Sequence, residues 1–213
     1  MNLPPTVSSH IHQLRMVHED NHTLRYFAEY PNATILSTMY LTPFVHQYFI
    51  YNSLYQWNWP ISIQDNKFIS LTNREEEQQE AFVNFIRENL HPSAEEINRA
   101  FVDIEVFDII GSWTKIEPDD YITVEEGDKF FADLRNFQEI LRKLRISANS
   151  ENLPEFYKHI NDIRHFLYLV RCNIFHGRKS LADVVESNQN KRIKLYYYFI
   201  YGLVTLFFIS LDK

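Results

Sequence analysis

Apolar residues recur at helical spacing through much of the chain. Phe44, Gln47, Tyr48, Tyr51, Leu54 and Tyr55 fall three or four apart, one face of a 3.6-residue repeat. Pro43 suits a first helical turn, where its missing N–H has no partner to lose, and Pro60 ends the pattern. Residues 35–59 are therefore predicted to hold an aromatic-dense, buried helix. After a polar link with Asp65 and Asn66, Thr72 or Asn73 is expected to cap a helix through EEEQQEAFVNFIRENL. Glu75, Glu76 and Glu77 in its first turn suit the positive end of the helix dipole, and Phe82, Phe85, Ile86 and Leu90 form its apolar face. Ser93 with Glu96 three residues on is a capping box; it opens a helix expected over 94–110. GSWTKIEPDDYITVEEG (111–127) reads as a long loop, and the helix after it (128–146) ends on Arg142, Lys143 and Arg145.

The cleanest stripe comes next. Pro154 begins it, and Phe156, Ile160, Ile163, Leu167, Val170 and Ile174 sit at i, i+4, i+7, i+11, i+14 and i+18. Gly177 follows in the place of a helix-stopping glycine. A last helix is predicted over 191–211. Residues 1–34, broken by Pro4, Pro5 and Pro31, read as an irregular or loosely helical N-terminal extension. The remaining 35–213 read as one domain. The predicted fold class is all-α, a bundle of five to six helices.

Composition narrows the function. Only four glycines occur in 213 residues, Gly111, Gly127, Gly177 and Gly202. No two are close enough for a dinucleotide fingerprint, a phosphate loop or a nucleophile elbow. The single cysteine, Cys172, excludes an internal disulfide and any paired-cysteine metal site; alone in a helix it reads as a small hydrophobe. The N-terminus has no basic stretch leading into an apolar one, so no secretory signal is expected, and the sequons at Asn21 and Asn32 read as chance matches. LYYYFIYGLVTLFFISL near the C-terminus carries four tyrosines. It reads as a buried last helix rather than a membrane anchor. The expected location is cytoplasmic.

The formal net charge is −7, but it is uneven. Residues 74–128 hold 16 acidic and 4 basic residues; 161–194 hold 3 acidic and 7 basic. A polyanion is accommodated only in the C-terminal third. The alternative there is a solvated basic face.

Two patterns suggest chemistry. His18 to His22 reads HEDNH, and histidines at i and i+4 with an intervening Glu can hold and activate zinc on a helix. Asp20–Asn21 is a poor fit to a zinc helix and no third ligand stands out, so a polar surface segment is expected, with no metal and no cofactor. The second is Arg171–Cys172–Asn173–Ile174–Phe175–His176–Gly177, an R-x4-H at the end of the cleanest helix. Arg164, Tyr168, Arg171 and Phe175 make a second stripe there, off the buried one.

VRCNIFHGRKS resembles the active-site segment of HEPN-domain proteins, the all-helical prokaryotic ribonucleases with an R-x4–6-H signature. FIYNSLYQWNW is similar to the aromatic first helix of that family, and EEEQQEAFVNFIRENL to the acidic-start helix after it. The resemblance covers roughly residues 35–210. It implies a metal-independent endoribonuclease, often a toxin or phage-defence effector with an antitoxin or other defence partner. It also implies a homodimer that brings two Arg–His pairs into one cleft. Arg171 is then the phosphate-binding residue and His176 the proton-transfer residue. Asn173 supports them, and Arg164, Arg178 and Lys179 guide RNA.

The chemistry is coherent without the family. Attack by the RNA's own 2′-hydroxyl needs a proton-transfer group active near neutral pH, which histidine supplies. It also needs a cation on the phosphate as charge builds, which arginine supplies as a fork of donors. Two alternatives stand beside it. One is a non-catalytic module of the same fold that binds RNA, nucleotides or protein. The other makes Arg171 a cap for helix carbonyls and His176 a partner of the helix dipole.

Overall fold

The last helix is the hub of the molecule. A computed structural model of the chain describes residues 5–29, 41–56, 74–101, 143, 147, 152–175 and 187–213. Among these residues every regular element is helical: α1 (Pro5–Glu29), α2 (Leu41–Tyr55), α3 (Glu75–Phe85) with a π-helical turn (Ile86–Leu90), α4 (Ala94–Phe101), α5 (Leu153–Phe175) and α6 (Ser187–Leu211). The expected all-α bundle is the fold. α6 packs on α2, α4 and the π turn, while α1 lies on α2 and α3 lies on α5. Tyr196, Tyr197, Tyr198, Phe199 and Ile200 are all buried, although five successive residues point all round a helix. A helix buried on every side is an internal one. Among the described residues no helix is long and apolar enough to cross a membrane.

Where their side chains are described, which leaves out Val170 and Ile174, the periodic faces predicted from sequence are the buried ones. Phe44, Gln47, Tyr48, Tyr51, Leu54 and Tyr55 turn inward on α2, and Phe156, Ile160, Ile163 and Leu167 do so on α5. The Ser93 box forms: the Ser93 amide donates to Glu96 Oε2 at 2.6 Å and the Glu96 amide to Ser93 Oγ at 3.3 Å. Burial pushes the Glu96 carboxyl up, but the hydrogen bonds from Lys213 and Ser93 outweigh it and hold the group below its ordinary range. Gly202 permits the close approach of α6 to α4. A Cβ there would lie 2.8 Å from Phe101 Cδ1 and 3.2 Å from the Ala100 carbonyl oxygen.

Several expectations need revision or fall elsewhere. The irregular or loosely helical lead-in is a 25-residue helix that packs on α2. Pro5 stands at its first position, where proline starts a helix rather than breaking one, and Ile11 is buried. The residue flanking α3 is Arg74, which makes no side-chain cap; Thr72 and Asn73 lie outside the described residues. So do the loop 111–127, almost all of the helix expected over 128–146, and Gly177. The helix expected to reach residue 110 is described as far as Phe101.

Candidate functional site

α5 presents its second stripe to the acidic start of α3. Arg164 begins that stripe, buried at 5% exposure. It donates from Nη1 to the Glu76 carbonyl oxygen at 2.9 Å and from Nε to Asn161 Oδ1 at 3.3 Å. His165 Nδ1 stands 2.6 Å from Glu76 Oε1. Arg164 and His165, at the start of the segment read from sequence as a basic face, therefore meet Glu76 of α3. Arg164 ties two helices together from within, and its guanidinium has no surface on which to guide RNA.

Arg171, two turns further on, is placed differently. Its side chain keeps 24% of its surface exposed, beside Glu75 at 22%. Arg171 Nη1 lies 3.3 Å from Glu75 Oε2. The guanidinium also sits over two rings, 5.8 Å from the centroid of Tyr48 and 5.5 Å from that of Phe175. A cation over aromatic faces is attracted by the ring quadrupole. Glu75 is in turn fixed by hydroxyls: Tyr55 donates to Oε1 at 2.5 Å and Tyr48 at 3.3 Å. Gln79 Nε2 donates to the Tyr48 hydroxyl at 3.1 Å. Burial raises the Tyr48 hydroxyl pKa and the Glu75 carboxylate raises it further; burial, then Tyr48 and Glu75, act likewise on Tyr55. Both phenols are thus neutral donors. They hold Glu75, which holds the arginine, so the guanidinium has a set orientation at a partly open surface. Phe49 and Phe175, both exposed and 5.8 Å apart edge to face, flank the opening.

Of the residues assigned to the RNA site from sequence, the structure places the side chains of Arg171 and Arg164. Asn173 belongs to the last turn of α5, its side chain outside what is described, while His176, Arg178 and Lys179 lie outside the described residues. Sequence reasoning did not single out Glu75, Tyr48, Tyr55 or Gln79. Glu75 had a sufficient local explanation as dipole charge, Tyr48 and Tyr55 had one as core stripe, Gln79 carried no signal, and a pairing with a distant arginine leaves no local mark.

The HEDNH segment was expected on the surface and is partly internal. His18 and Asn21 are 4% and 1% exposed, because residues three apart share the face that α1 lays on α2. Asn21 Nδ2 donates to the Pro43 carbonyl oxygen at 3.1 Å and to Gln47 Oε1 at 3.0 Å. Gln47 Nε2 then donates to His18 Nδ1 at 3.0 Å. The other ring nitrogen, Nε2, lies 2.9 Å from Thr205 Oγ1. The ring stacks on Tyr201 with centroids 4.2 Å apart. Both ring nitrogens of His18 serve as structural ties. Among the described residues no three His, Cys, Asp or Glu side chains gather as metal ligands would.

Compared with protein-family models, curated proteins and solved structures, the chain matches none.

Proposed function

We propose that this protein is a metal-independent endoribonuclease of the HEPN type. His176 moves the proton, Arg171 holds the phosphate and Asn173 supports the pair. The observation that carries the reading is the setting of Arg171. A guanidinium braced by Glu75 and two aromatic rings, yet partly exposed, is organised for an anion before one arrives. Its fork has five donors, so one nitrogen can face Glu75 while another meets a phosphate oxygen. The chain runs from this arginine through Phe175 directly into His176, the one residue type in the motif suited to proton transfer near neutral pH.

The substrate is RNA, whose 2′-hydroxyl supplies the nucleophile, and Arg178 and Lys179 supply further positive charge. The functional unit is a homodimer that doubles the Arg–His pair, working in the cytoplasm, as a toxin or defence effector with a partner protein that restrains it. A second reading, a non-catalytic module of the same fold, is favoured by the Arg171–Glu75 ion pair itself, since an arginine that ties α5 to α3 needs no substrate.

Cleavage of RNA in EDTA separates the two. The wild type is expected to cut, and His176→Ala to lose about 10²- to 10⁴-fold in rate, with RNA affinity and melting temperature nearly unchanged. Binding without cutting supports the second reading. If His176→Ala only lowers stability and RNA is neither bound nor cut, the pair has a helix-capping role.

A further inference from the structure

A cleft of about 350 Å³ opens on another part of the molecule, between α1, α4 and α6. Its walls combine apolar faces with converging charges, as small-molecule sites do. Phe208, Ile209 and the Tyr201 ring give the apolar part, with His18 and Thr205 beneath. Four charged side chains stand around it: Arg15, Glu19, Arg99 and Asp212.

Two of these neutralise each other. Arg15 is bidentate to Asp212, at 2.6 Å and 3.0 Å, donates to the Phe208 carbonyl oxygen at 3.2 Å, and lies over the Phe208 ring. That pair forms a fixed wall. Glu19 of α1 and Arg99 of α4 are the other two. Both are exposed, and among the described residues neither makes an ion pair. One carboxylate and one guanidinium thus line the same cleft without closing on each other, beside an apolar wall.

We propose that this cleft binds a small zwitterion of amino-acid size. Its carboxylate pairs with Arg99, its ammonium group with Glu19, and its apolar side chain lies against Tyr201, Phe208 and Ile209. The electroneutrality of the lining selects this class: the four charges cancel, so a purely anionic ligand meets Glu19 and Asp212, and a purely cationic one meets Arg15 and Arg99. A guanidinium takes a carboxylate through two parallel hydrogen bonds, which fixes the ligand's orientation as well as its sign. The cleft is furthermore rigid at its base. The chain Asn21–Gln47–His18–Thr205 engages both nitrogens of His18 and ties α1 to α2 and α6, so on binding the ordering falls on Glu19 and Arg99. This site takes up the Glu19 of HEDNH as a ligand-binding carboxylate and His18 as its support. It is independent of any RNA chemistry.

Titration calorimetry on the full chain tests it, with phenylalanine, N-acetylphenylalanine, phenylalanine amide and inorganic phosphate as probes. Phenylalanine is expected to bind and to raise the melting temperature with the logarithm of its concentration once that exceeds Kd. The acetylated and amidated forms each remove one charge and should bind about tenfold more weakly or worse. Arg99→Ala should weaken phenylalanine and the acetylated form while leaving the already weak amide unchanged; Glu19→Gln should weaken phenylalanine and the amide and spare the acetylated form. Both residues are exposed, so the variants should fold as the wild type does. The proposal is overturned if phenylalanine does not bind at millimolar concentration. It is also overturned if its affinity survives both substitutions, or if phosphate binds more tightly.

Discussion

At the scale of single residues, Arg171 and His18 show how one sequence signal can lead in two directions. Both were candidates because of a spacing. For Arg171 the neighbours give a braced, partly open cation; for His18 they give a buried ring whose nitrogens are both engaged. The difference follows from which residues of other helices each side chain meets, and the spacing of a short motif does not carry that information. Arg171→Lys keeps the charge and loses the planar fork. We expect RNA affinity and its salt dependence to be retained in part while cleavage falls steeply; equal losses in both would mean the residue acts as charge alone. Gln47→Leu removes the donor to buried His18 Nδ1. It should lower unfolding stability by about 1–3 kcal/mol, the cost of leaving a buried polar group unpaired, as read by urea denaturation.

Elements were legible where their apolar period was long and their ends carried a cap. The α5 stripe from Phe156 to Leu167 and the Ser93–Glu96 box are such cases, and both appear as expected. α1 was not legible, because its apolar positions are sparse and its early prolines resemble breakers, although a proline at a first helical position initiates. The close approach of α4 to α6 was equally hidden, since Gly202 in a run of aromatics gives no sign of what lies opposite. Gly202→Ala pushes a methyl into Phe101, so it should destabilise by about 1–3 kcal/mol despite alanine's better helix propensity. A stabilised variant in thermal melts would show that the contact yields easily. The capping box also carries a pH dependence. The Glu96 pKa is depressed in the folded state. Its contribution is therefore present above the ordinary carboxylate range and lost as pH falls through the depressed value. Glu96→Gln should flatten the acid limb of stability against pH, and an unchanged limb would assign that limb to other carboxylates.

At the scale of the whole molecule, α2 links the two regions of interest through adjacent residues. Gln47 serves the His18 chain and Tyr48 serves the Glu75–Arg171 cluster. The exposed Phe49 and Phe175 beside Arg171 suit the proposed assembly, in which two copies share one cleft around a two-fold axis. Light scattering at micromolar concentration should give twice the chain mass of 25.6 kDa, and a monomer would remove the doubled site from the mechanism. The catalytic proposal itself rests on attack by the RNA's own 2′-hydroxyl, with Arg171 on the phosphate and His176 moving the proton. The most direct test is end-group mass spectrometry on an RNA oligonucleotide incubated with the protein in EDTA, beside its all-deoxy counterpart. The proposal predicts RNA fragments ending in a 2′,3′-cyclic phosphate and an intact deoxy strand. Cleavage of both strands, a 3′-hydroxyl on the newly made end of the upstream fragment, or no cleavage at all would contradict it.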